Sequence, residues 1–117
     1  MKVFISVPMR GRTDEEIAKA IAVAKSKLSE MADKNNEPVE YVDNFVNVRQ
    51  YRHLKDPSIY CLGKAIQKMA KCDTIYFCPG WDEARGCVIE RQVAIQYGLT
   101  RLYQDDETGI IFQESVE

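Results

Sequence analysis

The sequence predicts an α/β domain: a small, doubly wound, mostly parallel sheet of about five strands with flanking helices. Three observations predict it. Short apolar runs rich in β-branched residues alternate with longer segments of three- and four-residue periodicity. Two of the runs, 3–7 and 74–78, each stop at a proline, Pro8 and Pro79, which removes a ladder donor. At 117 residues, 45% hydrophobic and 29% charged, the chain is long enough for one core and too short for two ordinary domains.

Each element has its own signature. Val3-Phe4-Ile5-Ser6-Val7 suits a central strand buried on both faces. After the loop 8–12, Thr13 and Glu16 have capping-box spacing, and Ile17, Ile21, Ala24, Leu28 and Met31 form one apolar stripe. Asn35-Asn36 stops that helix, and residues 39–42 read as a weak edge strand. Residues 43–55, with Asn44, Asn47, Arg49, Tyr51, Arg52 and His53, have no period and predict a functional or mobile loop. Asp56-Pro57 opens a second helix with Ile59, Leu62, Ile66, Met69 and Ala70 as its core stripe. A third strand over 74–78 follows, then a helix over about 83–97 with Ile89, Val93, Ala94 and Tyr97 facing inward and Gly98 as its stop. Residues 99–103 give a fourth strand, and 110–112 a fifth that returns antiparallel after a Gly-containing connection. The order predicts right-handed crossovers and a flavodoxin or Rossmann-like arrangement.

Composition excludes several classes of function. Sixteen basic and eighteen acidic residues are interspersed for a formal charge of -2, without the basic stripe that nucleic-acid polymers require. Apolar runs fall far short of the roughly 18 to 20 residues that cross a bilayer, and the N-terminus enters a strand pattern instead of a signal peptide, so a cytoplasmic protein with no membrane partner is expected. Cys61, Cys72, Cys78 and Cys87 form no Cys-x-x-Cys pair and the one histidine, His53, lies elsewhere. Neither a metal site nor a cofactor is expected, and the thiols read as reduced and mostly buried.

In an open parallel sheet, ligands bind outside the carboxyl ends of the strands. Two loops belong there. Pro8-Met9-Arg10-Gly11-Arg12 sets two guanidinium groups and a flexible backbone before a helix N-terminus, a combination suited to phosphate or carboxylate. Pro79-Gly-Trp81-Asp82-Glu83-Ala-Arg-Gly86 leads into a helix carrying Glu90 one turn on. Trp81 is either a flat pocket wall or a cover on the core edge, and Gly86 would admit a ligand close to the backbone. Glu90 is either a solvated helix residue or a nucleophile or base facing a pocket beneath Trp81 and Tyr76. Asp82 and Glu83 favour the positive end of the helix dipole and could supply a proton, while Asp73 is a turn residue or a further acid.

Taken together, residues 4–12, 72–81 and 85–90, with Ala94 and Gly98, resemble a family of small phage and bacterial proteins. That family is itself similar to the nucleoside 2-deoxyribosyltransferases and the 2'-deoxynucleoside 5'-monophosphate N-glycosidases. The resemblance spans nearly the whole chain and implies a nucleotide or nucleoside as small-molecule partner and a homodimer or larger homo-oligomer. It implies Glu90 as nucleophile on the anomeric carbon, and Ser6, Met9, Arg10, Gly11 and Arg12 as binders of sugar and 5'-phosphate. Three positions depart from the pattern: Val7 replaces a glycine, Ala84 a serine, and Ala65 an aspartate that could orient or protonate the base. Asp73, Asp82 or Glu83 would then supply the acid for hydrolysis or transfer; alternatively, the protein binds or senses its nucleotide without cleaving it.

Overall fold

A computed structural model describes residues 1–42 and 48–114. Five strands, β1 (Lys2–Ser6), β2 (Glu40–Val42), β3 (Thr74–Phe77), β4 (Thr100–Gln104) and β5 (Ile111–Gln113), form one sheet in the order β2-β1-β3-β4-β5. The first four are parallel and β5 runs antiparallel to β4. The helices are α1 (Asp14–Lys34), α2 (Pro57–Met69) and α3 (Arg85–Gln96). This is the predicted mostly parallel α/β sheet, compatible with a small Rossmann-like fold.

Strand alternation sorts the side chains onto two faces. Val3, Ile5, Val7, Tyr76, Cys78 and Leu102 pack with Ile17, Ala24 and Leu28 of α1. On the opposite face Phe4, Ile75, Phe77 and Tyr103 pack with Ala65 and Met69 of α2 and Ala94 of α3. The central strands β1 and β3 are thereby covered on both sides.

Local chemistry sets the helix ends. Thr13 Oγ1 accepts from Glu16 N at 3.1 Å while Glu16 Oε1 accepts from Thr13 N at 3.0 Å, completing the capping box. Asn35 caps the far end of α1, followed by Asn36 at φ +52°. Asp56 accepts from Ile59 N at 3.0 Å to start α2.

Two helical stripes differ from expectation. In α2 the buried residues are Ala65 and Met69, whereas Ile59 is 67% exposed and Ala70 forms the exposed C-cap. In α3 the buried residues are Cys87, Glu90 and Ala94, and both Ile89 and Tyr97 face out. Val93 and Ala94 pack into the core as expected, but a glutamate in the inward row breaks the hydropathy pattern and the buried face turns from Ile89 and Tyr97 toward Cys87 and Glu90. The helix also starts at Arg85 because Trp81–Glu83 closes a separate 3-10 turn, with Ala84 N donating to Trp81 O at 3.1 Å.

Within the predicted long loop, residues 43–47, including Asn44 and Asn47, lie outside the described residues. Val48–Tyr51 forms a 3-10 turn, Tyr51 packs on Tyr60 of α2 with ring centres 4.5 Å apart, and His53 is exposed.

Candidate active site

The order β2-β1-β3 makes the chain leave β1 toward one side and return to β3 on the other. In sheets of this order ligands bind between the loops that follow these two strands. Because β1 and β3 are parallel, with Ser6 opposite Phe77, residues 7–13 and 78–84 meet at the carboxyl edge.

Ser6 and Glu90 meet at that edge. Ser6, the last residue of β1, faces the α2/α3 side and is 1% exposed. It donates from Oγ to Glu90 Oε1 at 2.7 Å. Glu90 is on the inward row of α3 and 7% exposed. Burial pushes its carboxyl up from an ordinary 4.5 to about 7, the Ser6 hydrogen bond offsetting part of that rise. The pair thus holds a carboxyl that changes charge near neutral pH at the carboxyl edge of the sheet.

The two arginines of the first loop divide. Arg12 N donates to Met9 O at 3.1 Å across a turn in which Gly11 sits at φ +75°. Arg10 at the turn is exposed, whereas Arg12 is half-buried. A Cβ placed on Gly80 would come 3.0 Å from Arg12 Nη2, which locates the guanidinium directly over the second loop. It also lies close enough to Cys78 and Cys87 to favour their thiolates slightly, although burial dominates and pushes both thiols up to about 12. Among the described residues Arg12 makes no ion pair within 4 Å, and its charge acts weakly on Glu16.

Trp81 covers the sheet beside the carboxyl pair. Its ring centre is 5.3 Å from that of Phe77 and 5.2 Å from that of Tyr103. Phe77 and Tyr103 stack at 4.9 Å, in register with Ser6 on the same face. Tyr76 does not wall a pocket together with Trp81 as expected. Strand alternation turns it to the α1 face, where its hydroxyl donates to Gln104 Oε1 at 2.7 Å, and Phe77 occupies the position under the indole.

The other predicted residues sort by position. Met9 packs against the α1-side core, and Gly86 stands in the first turn of α3 with open space where a Cβ would be. Asp82 and Glu83 are exposed on the turn beside Trp81. Asp73 does not join this group: it lies at the amino end of β3, where it accepts from Lys2 N at 3.1 Å and Thr74 Oγ1 at 2.7 Å. A groove of about 550 Å³ opens on that amino edge, lined in part by Met31, Asp73, Thr100 and Gln113. Its two carboxylates, Glu37 and Asp73, are exposed, so neither has the environment of Glu90.

A model of the domain of unknown function DUF4406 matches residues 1–103. The chain belongs to the DUF4406 family. No curated protein and no solved structure matches it. The DUF4406 match takes in β1, both loops, Glu90 and β4 through Tyr103, and ends before β5.

Sequence reasoning missed the polar group at the far side of Trp81 in this DUF4406 protein. Arg91 lies 5.6 Å from the Trp81 ring centre, donates from Nε to Tyr103 Oη at 2.9 Å, and donates from Nη2 to Glu114. Strand period alone places Tyr103 on the same face as Phe77; nothing local in the sequence points from there to Glu114. No group of three metal-binding side chains occurs among the described residues, and no described helix is long and apolar enough to cross a membrane.

Proposed function

We propose that the protein cleaves or exchanges the N-glycosidic bond of a deoxynucleotide or deoxynucleoside, with Glu90 as nucleophile and Arg12 as phosphate clamp. The observation that carries this reading is the buried Ser6–Glu90 pair at the carboxyl edge, by the β1 and β3 loops. Membership of the nucleoside 2-deoxyribosyltransferase-like superfamily, toward which the motifs at 4–12 and 85–90 point, belongs to the same proposal.

The chemistry follows from the carboxyl. In its ionised form Glu90 bonds to the anomeric carbon as the carbon–nitrogen bond breaks, and the electron pair leaves with the base. The base takes a proton from an acid on the neighbouring turn, Asp82 or Glu83. Water then attacks the anomeric carbon, releases the Glu90 carboxylate and returns a proton to that acid. A second base in place of water gives transfer. Arg12, half-buried and without an ion pair among the described residues, suits a 5'-phosphate; Arg10 is exposed and suits it less.

Incubation with deoxynucleosides and their 5'-monophosphates, followed by chromatography for free base, tests the reading. Turnover is expected to rise with pH through about 7 and to fall more than about a hundredfold in Glu90→Gln with little change in affinity. Arg12→Ala should weaken a monophosphate by roughly 1.5 to 3 kcal/mol more than its nucleoside. Full activity in Glu90→Gln sinks the nucleophile.

One observation favours a second reading, a nucleotide-binding or sensing module. Ala65, where the resembled family's pattern has an aspartate, is buried in the apolar cluster with Phe4, Met69 and Ile75 and leaves no auxiliary acid there. Tight binding without release of base from any substrate would select this reading.

A further inference from the structure

Arg91, Arg101 and Tyr103 converge on a single carboxylate. Arg101, 6% exposed in β4, donates from Nε to Glu114 Oε2 at 2.7 Å and from Nη1 to Leu99 O at 3.2 Å. Tyr103 Oη donates to the same oxygen of Glu114, and Arg91 Nη2 donates to the other. Glu114 N in turn donates to Arg101 O at 3.0 Å, fixing the backbone just after β5. Burial would raise the Glu114 carboxyl, but hydrogen bonds from Tyr103, Arg101 and Arg91 outweigh it and hold it down at about 2. Glu114 is therefore an anion at neutral pH.

What this carboxylate orders is the Trp81 side of the proposed site. Arg91 follows Glu90 on α3 and bridges Tyr103, Glu114 and the Trp81 ring. Without Glu114, two guanidinium groups would share a site with no compensating charge, and repulsion would move the less buried one, Arg91, before Arg101. Arg91 would then leave the Trp81 face.

We infer that Glu114 is a positioning residue that acts through Arg91 to hold Trp81 over the Phe77–Tyr103 rings. Its consequence for ligand binding rests on the reading of Trp81 as a wall of the nucleotide site. The residue lies beyond position 103, where the DUF4406 match ends, so this chain supplies the device from outside the matched span.

Trp81 is the only tryptophan, so its emission reports its own packing. In Glu114→Gln the emission should shift to longer wavelength and acrylamide quenching should increase, while Glu114→Asp restores part of both. Affinity for a deoxynucleoside monophosphate should fall about tenfold, the weight of one charge-assisted hydrogen bond. In an Arg91→Gln background, Glu114→Gln should change Trp81 no further. Unchanged emission and quenching in folded Glu114→Gln overturn the inference, as does an equal effect with and without Arg91. If Glu114→Gln does not fold, Glu114→Asp alone decides by the same readouts. If the wild type binds no nucleotide, the proposed function fails and the emission measurements still decide the role of Glu114.

Discussion

Glu90 is where residue-scale physics is most exposed. A carboxyl that ordinarily ionises at 4.5 and in the fold ionises at about 7 binds protons more tightly folded than unfolded. Below 4.5 both states are protonated and burial costs nothing in charge; between 4.5 and 7 stability falls as pH rises; above 7 the full cost is present. At 1.4 kcal/mol per pH unit, the gap corresponds to roughly 3 kcal/mol. Such a cost is tolerated at a site whose chemistry needs a poised carboxyl. Chemical denaturation between pH 5 and 8 should show this decline in the wild type and a nearly flat profile in Glu90→Gln. Parallel profiles for the two proteins would mean that Glu90 is ionised normally in the fold. Spacing alone leaves Glu90 either solvated or facing a pocket and the resemblance makes it a nucleophile; the packing of α3 turns it inward.

At the scale of elements, legibility followed locality. The α1 cap is written in Thr13 and Glu16, the strand stops in Pro8 and Pro79, and β5 in the turn before it, all within a few residues of where they act. Less legible were the features set by distant partners: Cys87 beside Glu90 on the inward row of α3, where Ser6 of β1 holds the carboxyl, and the side of Tyr76, fixed by strand phase. The acidic pair Asp82–Glu83 mimics a helix start and sets the predicted beginning of the helix at about Glu83, which instead closes the turn Trp81–Glu83. Gly80, just before that turn, joins the two loops. It sits at φ +88°, where an L side chain is strained, and a Cβ there would press on Arg12 Nη2 at 3.0 Å. Gly80→Ala should therefore cost about 1 to 2 kcal/mol in stability, from backbone conformation. It should also weaken monophosphate binding by displacing the guanidinium. A variant as stable as the wild type by denaturant titration would show that the turn relaxes to a conformation alanine accepts.

On the scale of the whole molecule, two edges of one sheet compete for the ligand. The amino edge offers the groove of about 550 Å³ beside Asp73 and Thr100; the carboxyl edge offers the topological switch between β1 and β3, the half-buried Arg12 and the Ser6–Glu90 pair. Volume favours the first, and convergent chemistry favours the second. Chemistry should decide, because a small charged ligand gains specificity from a few placed polar groups more than from space. A monophosphate at a hundred times its dissociation constant should stabilise the protein by about 2.7 kcal/mol, raising the melting temperature by about 10 degrees. Hydrogen exchange locates the effect, since amides in contact with ligand or held by it exchange more slowly. Protection is expected in residues 7–13 and 78–90, on both sides of the proposed site, with residues 31–37 and 111–113 unchanged. Slowed exchange confined to those last two segments would move the binding site to the amino edge and remove Glu90 from the chemistry.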